Sequence, residues 1–162
     1  MLNFRFTTYL ALILIISLIS IISAYFIEYI LEHQPCNLCL IERIPYGLSV
    51  ILLVTYFIFR KNEKFIILLL ILVFIFSFSI SVYHLGIEQG YLEESSICAL
   101  KNAADVTSKE ELLRILNEKT ISCKDVTFKI FGLSLTSINM IISLTITILL
   151  IKIYKSYEKI TK

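Results

Sequence analysis

Two cysteines two residues apart, Cys36 and Cys39 in the stretch Pro35-Cys36-Asn37-Leu38-Cys39-Leu40-Ile41-Glu42-Arg43, are the side chains in this chain best suited to chemistry. Such a pair can close a small disulfide. Pro35 suits the first turn of a helix, where its missing N–H leaves no bond unmade, so the motif is predicted to open a helix. Thiols at that end sit among N–H groups without intrahelical partners and at the positive pole of the helix dipole, which favours thiolates and lowers their pKa values. Cys36, Cys39 and Arg43 fall at i, i+3 and i+7, so a fixed cation lies on the same face one turn beyond Cys39. That arrangement suits an anion or a polar acceptor.

Two plainer readings compete with a reactive pair. A Cys-x-x-Cys is also half of a zinc site, and four cysteines could complete a tetrahedral cage. The other two, Cys98 and Cys123, have 24 residues between them rather than two, which is not the second half of a zinc ribbon, and no metal is expected. A structural staple is the other possibility. The redox reading is preferred over both.

The elements that must position these thiols are membrane spans. Of 162 residues, 57% are apolar and 17% charged, and the mean hydropathy is +0.84, which excludes an ordinary soluble domain. No basic patch interleaved with aromatics is present, so nucleic acid is not an expected partner. The fold class predicted is an all-α membrane protein, a four-helix bundle forming one domain over 1–162. Its spans are expected near 6–27, 40–59, 65–83 and 130–151, with outer loops at 28–39 and 84–129.

Phe6 to Ile27 is 22 residues without a charge, long enough to cross a hydrocarbon core. A signal peptide cleaved after Ala24 is the second reading for this segment. Ile44 to Phe59 has only 16 uncharged residues, so the second span must borrow from the cysteine motif, placing Glu42 and Arg43 at the head-group boundary. Arg43 there either serves a ligand or snorkels to lipid phosphates. Pro45 predicts a kink or break just beyond it. Arg60 to Lys64 is a basic hairpin turn. Phe65 to Tyr83 forms the third span, whose Ser77, Ser79 and Ser81 read as interhelical hydrogen-bond groups. His84, just past its end, is a candidate ligand or proton carrier. In the long loop, Ser108-Lys109-Glu110-Glu111 reads as a capping box ahead of a short amphipathic helix. Asn139, inside the fourth span, reads as interhelical glue.

Charge sets the orientation. Arg5, Arg60, Lys61, Lys64, Lys152, Lys155, Lys159 and Lys162 lie on one side against Glu63 and Glu158, whereas both segments on the other side are net acidic. The basic side is predicted to be cytoplasmic, with both termini on it. All four cysteines then face outward, where disulfides persist. Four cysteines allow three pairings, of which the local one is Cys36–Cys39 with Cys98–Cys123.

Taken together, Pro35-Cys36-x-x-Cys39-x-x-x-Arg43 after a first span, a short basic hairpin, Tyr83-His84-x-Gly86-x-Glu88, the Cys98 and Cys123 loop, and Phe131-Gly132-Leu133 resemble the DsbB family of bacterial disulfide bond formation proteins. The resemblance covers nearly the whole chain. It implies a protein of the bacterial inner membrane that re-oxidises a soluble periplasmic thioredoxin-like oxidase of the DsbA type and passes the electrons to a membrane quinone, ubiquinone or menaquinone. By position it implies that Cys98 forms the mixed disulfide with the soluble partner and pairs with Cys123 at rest. It further implies that Cys36 joins Cys123 in an interloop intermediate and that Cys39 is the thiolate facing the quinone. Arg43 would lie beside the quinone head group, and His84 is carried as a second cofactor-binding candidate. The family's glutamine after span three has no clear match, since Glu88 and Gln89 both lie near it.

Two rivals remain. An enzyme similar to vitamin K epoxide reductase would place the loop cysteines before the Cys-x-x-Cys, the reverse of the order here. A non-enzymatic membrane subunit with two structural disulfides would give Arg43 no reason to share a face with the pair.

Overall fold

The computed structural model describes residues 2–59, 63–93, 98, 122–124, 128–130 and 132–161. Four long helices dominate it: α1 Leu2–Tyr29, α2 Asn37–Phe59, α3 Glu63–Glu88 and α4 Leu135–Thr161, with a two-residue hairpin, β1 Lys129–Ile130 and β2 Leu133–Ser134, immediately before α4. Each contains at least 22 residues of apolar span, enough at about 1.5 Å per residue to cross roughly 30 Å of hydrocarbon. In lipid a helix satisfies its own backbone, which is why unbroken apolar sequence becomes helix here. The protein is a four-helix, all-α membrane bundle.

Neighbours in sequence are neighbours in space: α1 packs on α2, α2 on α3 and α3 on α4. The core is a cluster of Leu10, Ile13, Leu53, Ile67, Leu70, Phe74, Ile146 and Leu150. Other apolar side chains, among them Ile22, Ile51, Ile58, Leu72 and Ile148, point outward. In water that would be an unexplained apolar surface; in a bilayer it is the lipid face.

Small polar groups tie the helices together within this apolar packing. Ser49 of α2 donates to Ser17 of α1 at 2.8 Å, and Ser77 of α3 meets Ser143 of α4 at 2.9 Å. Asn139 of α4 donates to Ser81 of α3 at 2.7 Å and accepts from Tyr46 of α2 at 2.5 Å. Asn139, Ser77 and Ser81 thus act as the interhelical groups expected. Ser79 bonds back to the Ile75 carbonyl and faces outward.

Three local expectations are altered. Helix α2 runs through Pro45 without a break, with the ring buried in the bundle. Helix α3 continues five residues past Tyr83 to Glu88, so His84 is a helical residue inside the bundle rather than a group beyond its end. It then stops at Gly90, whose φ of +78° lets the Tyr91 N–H turn back to the Gly86 carbonyl at 2.9 Å. Gly86 has no side chain to obstruct this return: a Cβ there would meet Leu92 Cδ1 at 2.8 Å. The helix of the fourth span starts at Leu135, because Gly132 at φ +82° turns the preceding residues into the hairpin instead of the first turn. The proposed amphipathic helix near 108–116 lies outside the described residues.

Candidate redox site

The cysteine motif begins α2 as its sequence dictates, and Cys36 occupies the cap. Its Sγ accepts the Cys39 N–H at 3.3 Å, satisfying one of the donors that a helix start leaves open. The Cys36 and Cys39 sulfurs are 2.7 Å apart as two thiols, within reach of each other for disulfide closure. Cys36 is buried and Cys39 half-buried.

Behind the pair lies the histidine that the sequence offers as a candidate ligand or proton carrier. His84 of α3, only 3% exposed, brings Nε2 to 3.6 Å from Cys36 Sγ while its Nδ1 lies 3.0 Å from Oε1 of Glu42. Thr136 Oγ1 of α4 is 3.3 Å from the same Nδ1. Glu42 Oε2 in turn accepts from Asn139 Nδ2 at 3.0 Å. A thiol, an imidazole and a carboxylate from two helices thus form one hydrogen-bonded line, the arrangement in which a nucleophile, its base and the group orienting that base cooperate. The Cys39 thiol bonded to Cys36, followed by His84, holds Cys36 far below the ordinary thiol range, at about 4, against burial acting the other way.

Arg43 points from α2 toward α1. Its Nη1 is ion-paired with Glu28, and the guanidinium lies over the Tyr25 ring with its carbon 5.2 Å from the centroid. The pair is half-shielded, which suits neither a free snorkelling cation nor one wholly given to a ligand. The partner carboxylate, Glu28, could not be foreseen from its own surroundings.

Cys98 and Cys123 are joined by a disulfide with Cα atoms 6.1 Å apart. Both are buried, and they belong to the same small apolar cluster as Cys36, Leu38 and Ile87, with Cys39, Ile41 and Tyr83 packed against it. The fold therefore brings the two cysteine pairs together at one end of the bundle. His33 of the first loop and Phe128 beyond Cys123 pack with ring centroids 5.4 Å apart, joining the two loops a second time.

Between α1 and α4, next to these thiols, is a cavity of about 330 Å³. Ile19, Ile27, Leu135, Ile138 and Ile142 give it apolar walls, while Cys36, Cys39, Glu42, Arg43, His84 and Asn139 border it at the thiol end. Glu88, the last residue of α3, also lines it, whereas Gln89 is exposed. A largely apolar slot with polar groups gathered at one end matches an amphipathic ring compound in shape and polarity. Of the candidate residues, Cys36, Cys39, Cys123, Arg43 and His84 all border this cavity, and Cys98 stands behind Cys123 through the disulfide. Glu42 and Glu28 are the additions that the fold makes.

The family model described as disulfide bond formation protein DsbB matches residues 6–153. A curated relative, the uncharacterized protein RP370 of Rickettsia prowazekii (strain Madrid E), is 28% identical over 137 residues, covering 83% of this chain and 80% of that protein. No solved structure matches the chain.

Proposed function

Because this chain belongs to the DsbB family of disulfide-forming membrane proteins, we propose that it re-oxidises a soluble periplasmic thioredoxin-like oxidase of the DsbA type and delivers the electrons to a membrane quinone, ubiquinone or menaquinone. The observation that supports this most is the gathering of both cysteine pairs into one buried cluster that opens onto a largely apolar cavity. Two disulfide-capable pairs on separate loops can exchange only when they approach each other, and a staple needs neither the second pair nor the cavity.

In this reading the resting protein holds Cys98–Cys123 and Cys36–Cys39 as disulfides. A thiolate of the reduced partner attacks Cys98, and the partner's second thiol then resolves the mixed disulfide, leaving the partner oxidised and Cys98 and Cys123 as thiols. Cys123 attacks Cys36 and releases the Cys39 thiolate; Cys98 then attacks Cys123 and frees Cys36. The net result moves two electrons and two protons from the outer pair to the inner pair. Bound in the cavity, a quinone supplies a two-electron, two-proton acceptor. The residues that fit it are Cys39 and Arg43 at the polar end and Ile19, Ile138 and Ile142 along the walls. His84, backed by Glu42, stands beside the Cys36 thiolate and is placed to hold a proton there and pass it toward the cavity that both side chains border as the inner disulfide re-forms. Arg43 offers positive charge where negative charge develops.

The basic segments and the four spans favour an inner-membrane protein with cytoplasmic termini and outward-facing cysteines. The test is quinone reduction by the purified protein supplied with a reduced DsbA-type partner. Catalytic turnover that disappears in Cys36→Ser and Cys98→Ser is the expected result; absence of turnover with both ubiquinone and menaquinone overturns it.

A further inference from the structure

We infer that reduced Cys36 and Cys39, together with His84, form a binding site for zinc(II) that exists only while the inner pair is a dithiol. The three ligand atoms all lie within 4.8 Å of one another. Around a tetrahedral zinc ion, with bonds of about 2.3 Å to sulfur and 2.0–2.1 Å to nitrogen, a sulfur–nitrogen edge is roughly 3.5 Å and a sulfur–sulfur edge roughly 3.8 Å. Cys36 Sγ and His84 Nε2 already stand 3.6 Å apart. The two sulfurs, at 2.7 Å, must separate by about an ångström, which a small rotation of the half-buried Cys39 side chain supplies.

The histidine is also prepared as a ligand. Metal-bound imidazoles characteristically hold their second nitrogen on a carboxylate or carbonyl, which fixes the ring and raises its basicity. Here Glu42 Oε1 holds Nδ1 at 3.0 Å and directs Nε2 toward the thiols. Both His84 and Glu42 are buried, so this orientation is built into the bundle. Two sulfurs and one imidazole make a soft donor set that rejects magnesium and calcium. Three protein ligands leave a fourth position on the cavity side for water. This is a different set from the four-cysteine cage weighed on sequence grounds, since Cys98 and Cys123 are committed to each other.

Binding replaces the thiol protons by the ion and leaves both electron pairs on sulfur, so nothing is oxidised or reduced. A disulfide has no thiolate to offer, which makes uptake strictly dependent on reduction. Insofar as the electron-transfer reading above holds, an ion on both inner sulfurs also stops their re-oxidation.

The experiment uses the full chain in detergent with Cys98 and Cys123 both changed to Ser, reduced and freed of reductant under nitrogen. Cobalt(II) serves as the spectroscopic probe and zinc(II) as its competitor. Expected are one cobalt ion per chain, a thiolate-to-cobalt charge-transfer band with tetrahedral visible bands, displacement by zinc, and no uptake after the pair is oxidised. Glu42→Gln should weaken binding by about 10- to 100-fold, as for other groups that orient a metal-bound histidine. His84→Ala should abolish the tetrahedral spectrum. Uptake that is equal in oxidised and reduced protein, or unchanged in His84→Ala, overturns the inference, as does no uptake at all. Should either variant fail to fold by circular dichroism, the comparison of oxidised with reduced protein decides alone. The readout involves no quinone, so failure of turnover and failure of metal binding are separate results.

Discussion

His84 Nδ1 lies 3.0 Å from Glu42 Oε1, joining α3 to α2 directly beneath the reactive thiols. A carboxylate in this position does two things: it fixes which imidazole nitrogen faces Cys36, and it accepts from Asn139 of α4. The packing at this end of the bundle and the surroundings of Cys36 therefore depend on the same side chain.

Glu42→Gln tests that dependence. An amide keeps one acceptor oxygen but removes the charge, and a hydrogen bond to a charged group contributes about 1.5–3 kcal/mol. Turnover should fall by roughly ten- to a hundredfold, since about 1.4 kcal/mol is tenfold. The pH dependence of turnover should change as well, because Glu42 no longer sets a negative charge against the imidazole that faces Cys36. Glu42→Asp, which retains the charge, should recover part of the rate. A purely structural role would lower thermal stability and leave the pH profile in place.

The thiolate of Cys36 gives a second test. Its usual titration, near 9.0, is displaced to about 4 chiefly by the Cys39 thiol, then by His84. In metal-free, reduced protein lacking Cys98 and Cys123, the ultraviolet thiolate band should persist at neutral pH and disappear only as the pH falls through about 4. Cys36→Ser should remove that low-pH step. Cys39→Ser should move it upward, because the largest cause of the displacement is gone. A step that stays near 9.0 in the parent protein contradicts the assignment.

Much of this architecture is legible in the sequence because membranes impose length. An uncharged run such as Phe6 to Ile27 has few alternatives to a spanning helix, and Pro35 before Cys36 marks where α2 begins. Glu42 is not legible in the same way. Beside Arg43 at a span boundary it reads as one of a pair of solvated charges, and its partners His84 and Asn139 are 42 and 97 residues away along the chain. The available signal is its i+3 spacing from Cys39 within a segment that must reach into the bilayer, where an ionisable side chain is expensive and needs a reason. The hairpin before α4 is hidden for another reason. Ile130 to Leu133 is as apolar as the span, and only the positive φ of Gly132 separates turn from helix.

Tyr46→Phe addresses the interhelical polar groups. Its hydroxyl reaches Asn139 at 2.5 Å and Ser143 at 3.3 Å, joining α2 to α4 well inside the bundle. Side-chain hydrogen bonds between membrane helices contribute about 0.6 kcal/mol on average and up to about 1.7 kcal/mol. Loss of both contacts should destabilise the protein by about 1–2 kcal/mol in reversible unfolding from detergent, with helix content unchanged. No loss would mean that Asn139 finds an equivalent donor.

Arg43 offers the sharpest division of roles, because the structure gives it two. It anchors α2 to α1 through Glu28 and Tyr25, and it borders the cavity. If anchoring is its whole contribution, Glu28→Gln and Arg43→Gln should have equal effects, and the double variant should be no worse than either single one. If it also serves the acceptor in the cavity, Arg43→Gln should raise the quinone KM or lower turnover by roughly ten- to a hundredfold, the equivalent of one charged hydrogen bond of about 1.5–3 kcal/mol. Glu28→Gln should then have a much smaller effect, and Arg43→Lys an intermediate one, since an ammonium keeps the charge but loses the planar fork of donors. Thiol exchange between Cys98–Cys123 and the soluble partner is the internal control and should be the same in all of these variants. The expected outcome is the second pattern, with the quinone kinetics of Arg43→Gln falling well below those of Glu28→Gln. Equal losses in the two would reduce Arg43 to a helix anchor and leave Cys39 and His84 as the groups facing the cavity's polar end.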